Sequence, residues 1–318
     1  MSVKLGIIGA AGTLGSCAAF AIASQGLVDE MVLIDLNAKL LKSHQMDLET
    51  AVTPIKKMVI RTGGAEDLSG CQVVIQTAGA PWRQISARIE LLEDNLPIIR
   101  ETAVILKKYC PDAIVITATN PVDPLNYYLY RSTGMGRKQL IGYTLNDSIR
   151  FRMLTAAAFG VDSTEVEGTV VGEHGEHQVL LFSSVSVKGE PVTLSEDAKQ
   201  QIRAEIPKIL HAYESLGTGR TSGWTSAVGL ADMVRAIVQD TGQVFPCSVI
   251  LAGEYGQKEI SASVPVSLGR GGVKEIPIID MSAEEKTDFE EACVYLNQMK
   301  RQLEDILKLE VPKMPKMS

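Results

Sequence analysis

Along the first half of the chain, short and nearly uninterrupted apolar runs alternate with longer stretches whose apolar positions recur every three or four residues. The runs at 4–9, 31–35, 58–61, 73–77, 113–118 and 139–142 read as strands, and the stretches around 14–25, 39–50, 87–109 and 123–131 as helices. A strand apolar on both faces needs cover on both, so the alternation predicts an α/β fold with a doubly wound parallel sheet. Gly26 falls just past the first helix, where a residue able to turn left-handed ends one.

Beyond about residue 145 the rhythm changes. Residues 147–159 read as a connecting helix; 166–171 and 177–187 read as β, with Lys188-Gly189-Glu190 as a hairpin turn. Ile202, Ile206, Ile209, Leu210, Tyr213 and Leu216 repeat at helical spacing, and Pro207 is expected to kink or interrupt that helix. A helix near 226–239 and strands at 244–252 and 260–268 follow. The last helix opens on a capping box, Ser282-Ala-Glu-Glu285, and carries Phe289, Cys293, Leu296, Leu303 and Leu307 as one apolar stripe. The tail, 311–318, is expected to be loose. Two tightly packed domains are predicted, at 1–145 and 146–318, the second of α+β type.

Composition sharpens this picture. With 318 residues, 45% of them hydrophobic and 22% charged, the chain can bury a large core over about two domains. The formal charge of −7 argues against broad contact with nucleic acid or an anionic membrane. Cys17, Cys71, Cys110, Cys247 and Cys293 are odd in number and scattered, with no CxxC, which points to reduced thiols in a cytoplasmic protein and to no metal. Between Lys4 and Asp29 lie twenty-four uncharged residues, and Ala21-Ile22-Ala23 resembles a leader cleavage site. Five glycines in that stretch favour a strand, a turn and a buried helix instead. No other apolar run approaches the roughly 18 residues of a membrane span.

The turn itself carries chemistry. Gly9-Ala-Ala-Gly12-Thr-Leu-Gly15 follows the first predicted strand and opens the first helix. There the glycines let the backbone approach a pyrophosphate, whose charge sits on amides at a helix N-terminus. Asp35 ends the second strand twenty residues after Gly15, where a carboxylate accepts hydrogen bonds from ribose hydroxyls and repels a 2′-phosphate. NAD is thus favoured over NADP, in a domain of Rossmann type. A glycine-turned α/β protein that binds no nucleotide is the alternative; the order strand, loop, helix, strand, acid favours the cofactor.

Of four histidines, His44 and His211 fall in helical segments without chemical neighbours and read as structural. His174 sits in the turn Gly172-Glu-His-Gly-Glu176, at the end of a strand, with His177 three residues on. Nothing like HExxH accompanies the pair, so metal is not expected. Asp147 and Arg150, three apart at a helix start, can share one face. A buried Asp would fix a His tautomer, and Arg offers a fork for a carboxylate; taken alone, the pair reads more readily as a helix-end ion pair. The loop from Thr77 to Arg88 and Asn120-Pro121-Val122-Asp123 both follow strands at the edge where α/β sheets place ligands.

In this order GAAGTLG, Asp35, TAG at 77–79, TNPVD at 119–123, DSIRFR at 147–152 and GEHGE at 172–176 resemble the NAD-dependent lactate/malate dehydrogenase family, from residue 4 to about 307. The resemblance reverses the ion-pair reading. It implies that His174 exchanges the proton with a 2-oxo or 2-hydroxy acid, that Asp147 orients it, that Arg150 grips the substrate carboxylate, and that Arg88, on a closing loop, polarises the carbonyl. Asn120 would contact substrate and cofactor, Asn95 would lie near the cofactor, and Gly9, Gly12, Gly15, Asp35, Thr77 and Gly79 would hold NAD. It further implies a homodimer or homotetramer.

The departures concern the substrate. Counting without gaps from Gly79 to Arg88 puts Trp82 where the family reads the substrate side chain, with Arg in malate enzymes and Gln in lactate enzymes. Arg83 comes one place late, and the Pro-Gly pair usual in malate-type loops is absent. A bulge at Trp82 would bring Arg83 to a dicarboxylate such as oxaloacetate; without it, Trp82 shapes a pocket for lactate or a bulkier 2-hydroxy acid. Ser222 is placed on the opposite wall. His177 stands where many relatives carry Ser or Thr. The expectation leans to malate. A catalytically inactive NAD-binding protein is the alternative of another class, and an NAD-dependent glycosidase would need metal ligands that no Cys or His neighbourhood here suggests.

Overall fold

The structure, a computed structural model, describes residues 2–81, 83, 88–218 and 222–310, so the expected loose tail lies outside it. The alternation of apolar runs and helical stretches folds as β1 (Lys4–Ile8), α1 (Thr13–Ser24), β2 (Glu30–Ile34), α2 (Ala38–Val52), β3 (Val59–Thr62), β4 (Val73–Gln76), α3 (Arg88–Tyr109), β5 (Ile114–Thr117), α4 (Val122–Thr133) and β6 (Leu140–Tyr143). These six strands are parallel in the order β3-β2-β1-β4-β5-β6. That order reverses between β1 and β4, which opens a crevice at their C-terminal ends.

The remainder runs α5 (Leu145–Phe159), β7 (Val166–Glu167), β8 (Val170–Gly172), β9 (Gln178–Leu180), β10 (Ser186–Val187), β11 (Glu190–Pro191), α6 (Glu196–Ser215), α7 (Gly223–Gln239), β12 (Val244–Ala252), β13 (Lys258–Gly269), β14 (Gly272–Glu275) and α8 (Ala283–Glu310). Its strands pair antiparallel. Through β12, which pairs with β6 at Cys247↔Tyr143 and Ser248↔Gly142, the sheet continues into β13, β8 and β9 without interruption.

Both sheet faces are covered, as the apolar strands required. Ala18 and Ile22 of α1 pack with Leu230 and Val234 of α7 over Ile7, Leu33 and Ile75. Leu92, Leu96 and Ile99 of α3, with Leu125 of α4 and Leu303 of α8, cover Val32, Val74 and Val115. A third cluster joins Phe151 of α5 to Phe182, Ile202 and Ile206, the two phenyl rings meeting edge to face at 5.2 Å. Gly26 takes φ +62° just after α1. Ser282 and Glu285 bond each other's amides, closing the capping box before α8.

Two expectations are corrected. Pro207 does not interrupt α6, which runs from Glu196 to Ser215. Ile202 and Ile206, each 3% exposed, anchor the preceding turn in the third cluster, and that packing carries the helix past one missing hydrogen bond. The β segments 166–171 and 177–187 each divide in two. β8 and β9 stay in the main sheet, whereas β7, β10 and β11 form a separate three-stranded sheet. Lys188 and Gly189, at φ 54° and 80°, make the tight turn between β10 and β11. Among the described residues no helix is long and apolar enough to cross a membrane.

Candidate active site

The glycine loop lies at the crevice between β1 and β4. Gly9 has φ +87°, and a Cβ there would stand 2.4 Å from the amide nitrogen of Ala78. A Cβ on Gly15 would stand 2.2 Å from the Gly9 carbonyl oxygen, so these two positions admit no side chain. Gly12 is different: its nearest neighbour would be that same oxygen, at 3.3 Å, which leaves the outer side of the loop open to an approaching ligand. Gly12 caps α1 with no side-chain acceptor, so among the described residues the first-turn amides of Thr13 and Leu14 have no side-chain cap. That cradle fits a pyrophosphate.

Asp35 is built into the same loop. Its Oδ2 accepts the Ala11 amide and its Oδ1 the Asn37 amide, both at 2.9 Å. Each oxygen keeps a lone pair for a ribose hydroxyl, which fits the dinucleotide without a 2′-phosphate. Thr77 donates its hydroxyl to the Ile8 carbonyl at 2.9 Å and lies 3.2 Å from that of Gly9, so it braces the loop from β4. Asn95, 3% exposed, accepts the Ala80 amide at 2.7 Å and donates to the Asn120 carbonyl at 2.9 Å. It thereby ties together the loops after β4 and β5. A Cβ on Gly79 would stand 3.2 Å from the Asn95 Oδ1.

The second half brings an acid, a base and a guanidinium together. Asp147 and Arg150 lie one turn apart at the start of α5, with Nη1 of Arg150 3.3 Å from Oδ1 of Asp147. The other oxygen, Oδ2, lies 2.6 Å from Nδ1 of His174. Asp147 is 6% exposed, so this contact fixes the imidazole from its buried side. Gly172, at φ +88°, turns the chain after β8 to present His174. Ser222, capping α7, lies 3.5 Å from Nη2 of Arg150. Tyr143 donates to Asn146, which donates to Ser226 of α7, both at 2.8 Å, and burial pushes the Tyr143 phenol up. This chain steadies the start of α5.

Asp147, Arg150, His174 and Ser222 are therefore brought together. Asn120 is exposed beside a cis peptide bond to Pro121. Arg83 is not at Arg150: it reaches Glu90 and Asp94 of α3 at 2.8 and 2.7 Å. Trp82 lies outside the described residues, as do the side chains of Arg88, which begins α3, and His211. The ring of His177 stacks on Tyr295 of α8 at 4.1 Å, and His44 is half-buried in α2. Asp123, the acid of the TNPVD segment, receives the His174 amide at 2.9 Å and the Ser248 hydroxyl at 2.5 Å, partners that no local spacing in the sequence points to.

A buried carboxylate behind an imidazole, a guanidinium beside it and an open glycine loop across the sheet edge fit the chemistry of a nicotinamide-dependent dehydrogenase. Residues 3–142 match the model of the lactate/malate dehydrogenase NAD binding domain, and 144–309 that of the lactate/malate dehydrogenase alpha/beta C-terminal domain. The chain belongs to the lactate/malate dehydrogenase family, and it is an NAD-dependent dehydrogenase. It is 37% identical to a malate dehydrogenase of Haloarcula marismortui over 297 residues, 92% of this chain and 97% of that one. It is 30% identical to L-lactate dehydrogenase 1 of Staphylococcus aureus, over 93% of this chain and 95% of that one. The crystal structure of Cryptosporidium parvum malate dehydrogenase superimposes with a TM-score of 0.90 at 28% identity, covering 96% of this chain and all of the other.

Proposed function

We propose that the protein interconverts a small 2-oxo acid and its 2-hydroxy acid, with oxaloacetate and malate as the pair. The observation that carries the chemistry is the Asp147–His174 contact beside Arg150. Bound NAD(H) supplies the hydride. Gly9, Gly12, Gly15 and the first turn of α1 hold its pyrophosphate, Asp35 its adenine ribose, and Thr77, Gly79 and Asn95 shape the wall between them. Arg150 grips the substrate carboxylate through its planar fork, and Ser222 leaves room beside it. His174, protonated at Nε2, gives its proton to the carbonyl oxygen during reduction and takes it back during oxidation. Asp147 steadies the imidazolium, and Arg88 stabilises charge developing on the same oxygen. Asn120 orients the carbonyl. In a dry site, losing one such group costs on the order of 3 kcal/mol of barrier.

Malate is supported by the Haloarcula relative and by a guanidinium, Arg83, one residue past the position that reads the side chain. A second reading has its own observation: Arg83 is engaged with Glu90 and Asp94, which favours Trp82 as the wall of a pocket for pyruvate or a bulkier 2-oxo acid. Loss of NADH absorbance with oxaloacetate, pyruvate and a branched 2-oxo acid at equal concentration separates the two. A strong preference for oxaloacetate supports Arg83 as the reader; preference for either of the others removes it.

The protein is further proposed to work in the cytoplasm as a homodimer or homotetramer. Phe20 of α1, Met46 of α2, and Trp224 and Val228 of α7 are each more than half exposed on helices that pack side by side. An apolar face of that kind suits a second copy. A monomeric mass in sedimentation would remove this part.

A further inference from the structure

Behind His174 stands a second buried carboxylate that the scheme above leaves unused. Asp123, in the first turn of α4, is 1% exposed. An acid at that position would ordinarily face its own helix's amides. Here Oδ2 instead accepts the His174 amide, at 2.9 Å, and Oδ1 the hydroxyl of Ser248 in β12, at 2.5 Å. Ser248 in turn lies 2.9 Å from Ser261 of β13, and Asn126 donates to Ser261 at 3.0 Å. A carboxylate kept in such a place is expensive unless its charge is matched, and the positive charge that favours its ionised form is that of His174.

We propose that Asp123 is a positioning residue for His174: it anchors the turn that presents the imidazole, and its negative charge steadies the protonated ring. The inference rests on His174 as the proton donor. Asp147 holds the ring, and Asp123 holds the backbone, from opposite ends of one residue.

The groups facing Asp123 are Glu173 and His174 from the turn after β8, Asp147 of α5 beyond the ring, and Cys293 of α8, whose thiol burial and Asp123 push up to about 12. Burial and the like charge of Glu173, itself 3% exposed, push Asp123 up to about 6; its hydrogen bonds and the His174 charge pull the other way. The sign for activity follows. Reduction needs His174 protonated, so lowering the pH does not disable it. Protonating Asp123 does weaken the reaction, by removing the charge behind the imidazolium and loosening the grip on its amide. Reduction by the wild type should therefore fall as pH drops through about 6.

The test is the pH profile of kcat for reduction of oxaloacetate and of pyruvate, with NADH binding followed separately by fluorescence. Asp123→Asn keeps the shape and an acceptor but not the charge. It should lower kcat on the order of tenfold, flatten the acid limb and leave NADH affinity unchanged. Glu173→Gln should move the limb to lower pH, a shift that a merely structural residue would not produce. Should Asp123→Asn fail to fold, Ser248→Ala and Glu173→Gln carry the test, the former with a several-fold loss of kcat. An active wild type whose limb is unmoved in the soluble variants overturns this proposal alone. A wild type inactive on every 2-oxo acid, and indifferent to His174→Asn, overturns the dehydrogenase scheme and this proposal with it.

Discussion

His174 and Asp147 are 27 residues apart in sequence, yet their Nδ1 and Oδ2 atoms meet at 2.6 Å, one delivered by the end of β8 and the other by the first turn of α5. Under the proposed function the pair makes the ring a directed donor. Asp147→Asn should keep the fold and NADH affinity while lowering kcat by about a hundredfold or more, since the amide favours the wrong tautomer and no longer stabilises the imidazolium. Stopped-flow or steady-state turnover at saturating NADH checks it; kcat within twofold of wild type would sink the role.

The three loop glycines should not respond alike. A methyl on Gly15 meets the Gly9 carbonyl at 2.2 Å, whereas on Gly12 it meets nothing closer than 3.3 Å. Gly15→Ala is expected to lower the melting temperature and to abolish saturable NADH binding. Gly12→Ala should fold normally and weaken NADH by steric intrusion alone. Equal melting temperatures for the two variants would contradict this account.

Asp35 accepts the amides of Ala11 and Asn37 beside the glycine loop, where the proposed function puts the adenine ribose. Asp35→Ser removes the negative charge that repels a 2′-phosphate, so the ratio of NADPH to NADH turnover should rise by at least about tenfold. Measuring kcat/KM for both dinucleotides tests the point. An unchanged ratio would place discrimination elsewhere.

Arg83 separates the substrate readings. Under the malate reading, Arg83→Gln should cut kcat/KM for oxaloacetate by at least about tenfold, the worth of one charge-assisted contact, with little effect on pyruvate. Equal losses on both acids, or none, would leave Arg83 as a surface partner of Glu90 and Asp94.

Thiol chemistry gives an independent check on the fold. Burial pushes Cys71 up to about 12 and Cys110 to about 11, and it raises the thiols of Cys247 and Cys293 as well. Cys17 is only half-buried. Titration with an aromatic disulfide reagent should find one reactive thiol in the native protein and five after denaturation.

Local pattern made the parallel half legible because β1, β2, β4, β5 and β6 are mostly apolar and buried, while the edge strand β3, with Arg61 and Thr62, carries the weakest signal. What escaped depended on tertiary partners. Pro207 breaks a helix by local rule, but Ile202 and Ile206 are held from outside it. Residues 177–187 carry β character throughout, and only the choice between two sheets divides them. At the site, motif order groups His174, Asp147 and Arg150, and the three side chains meet through Asp147, each contact within 3.3 Å. Asp123 stood in view inside TNPVD, yet its meaning lies in partners 51 and 125 residues away, which no spacing rule reaches. Asn95, expected near the cofactor, spends its side chain on backbone of two neighbouring loops.

The pairing of β6 with β12 has a consequence for dissection of the molecule. Cut near residue 143, the N-terminal fragment would keep its nucleotide loop but expose the unpaired edge of β6, and the C-terminal fragment would expose that of β12. Bare edges of this kind recruit other chains. Neither piece is an independent cartridge: they should aggregate when made separately, and be rescued only when synthesised together and allowed to zip along Tyr143 and Cys247.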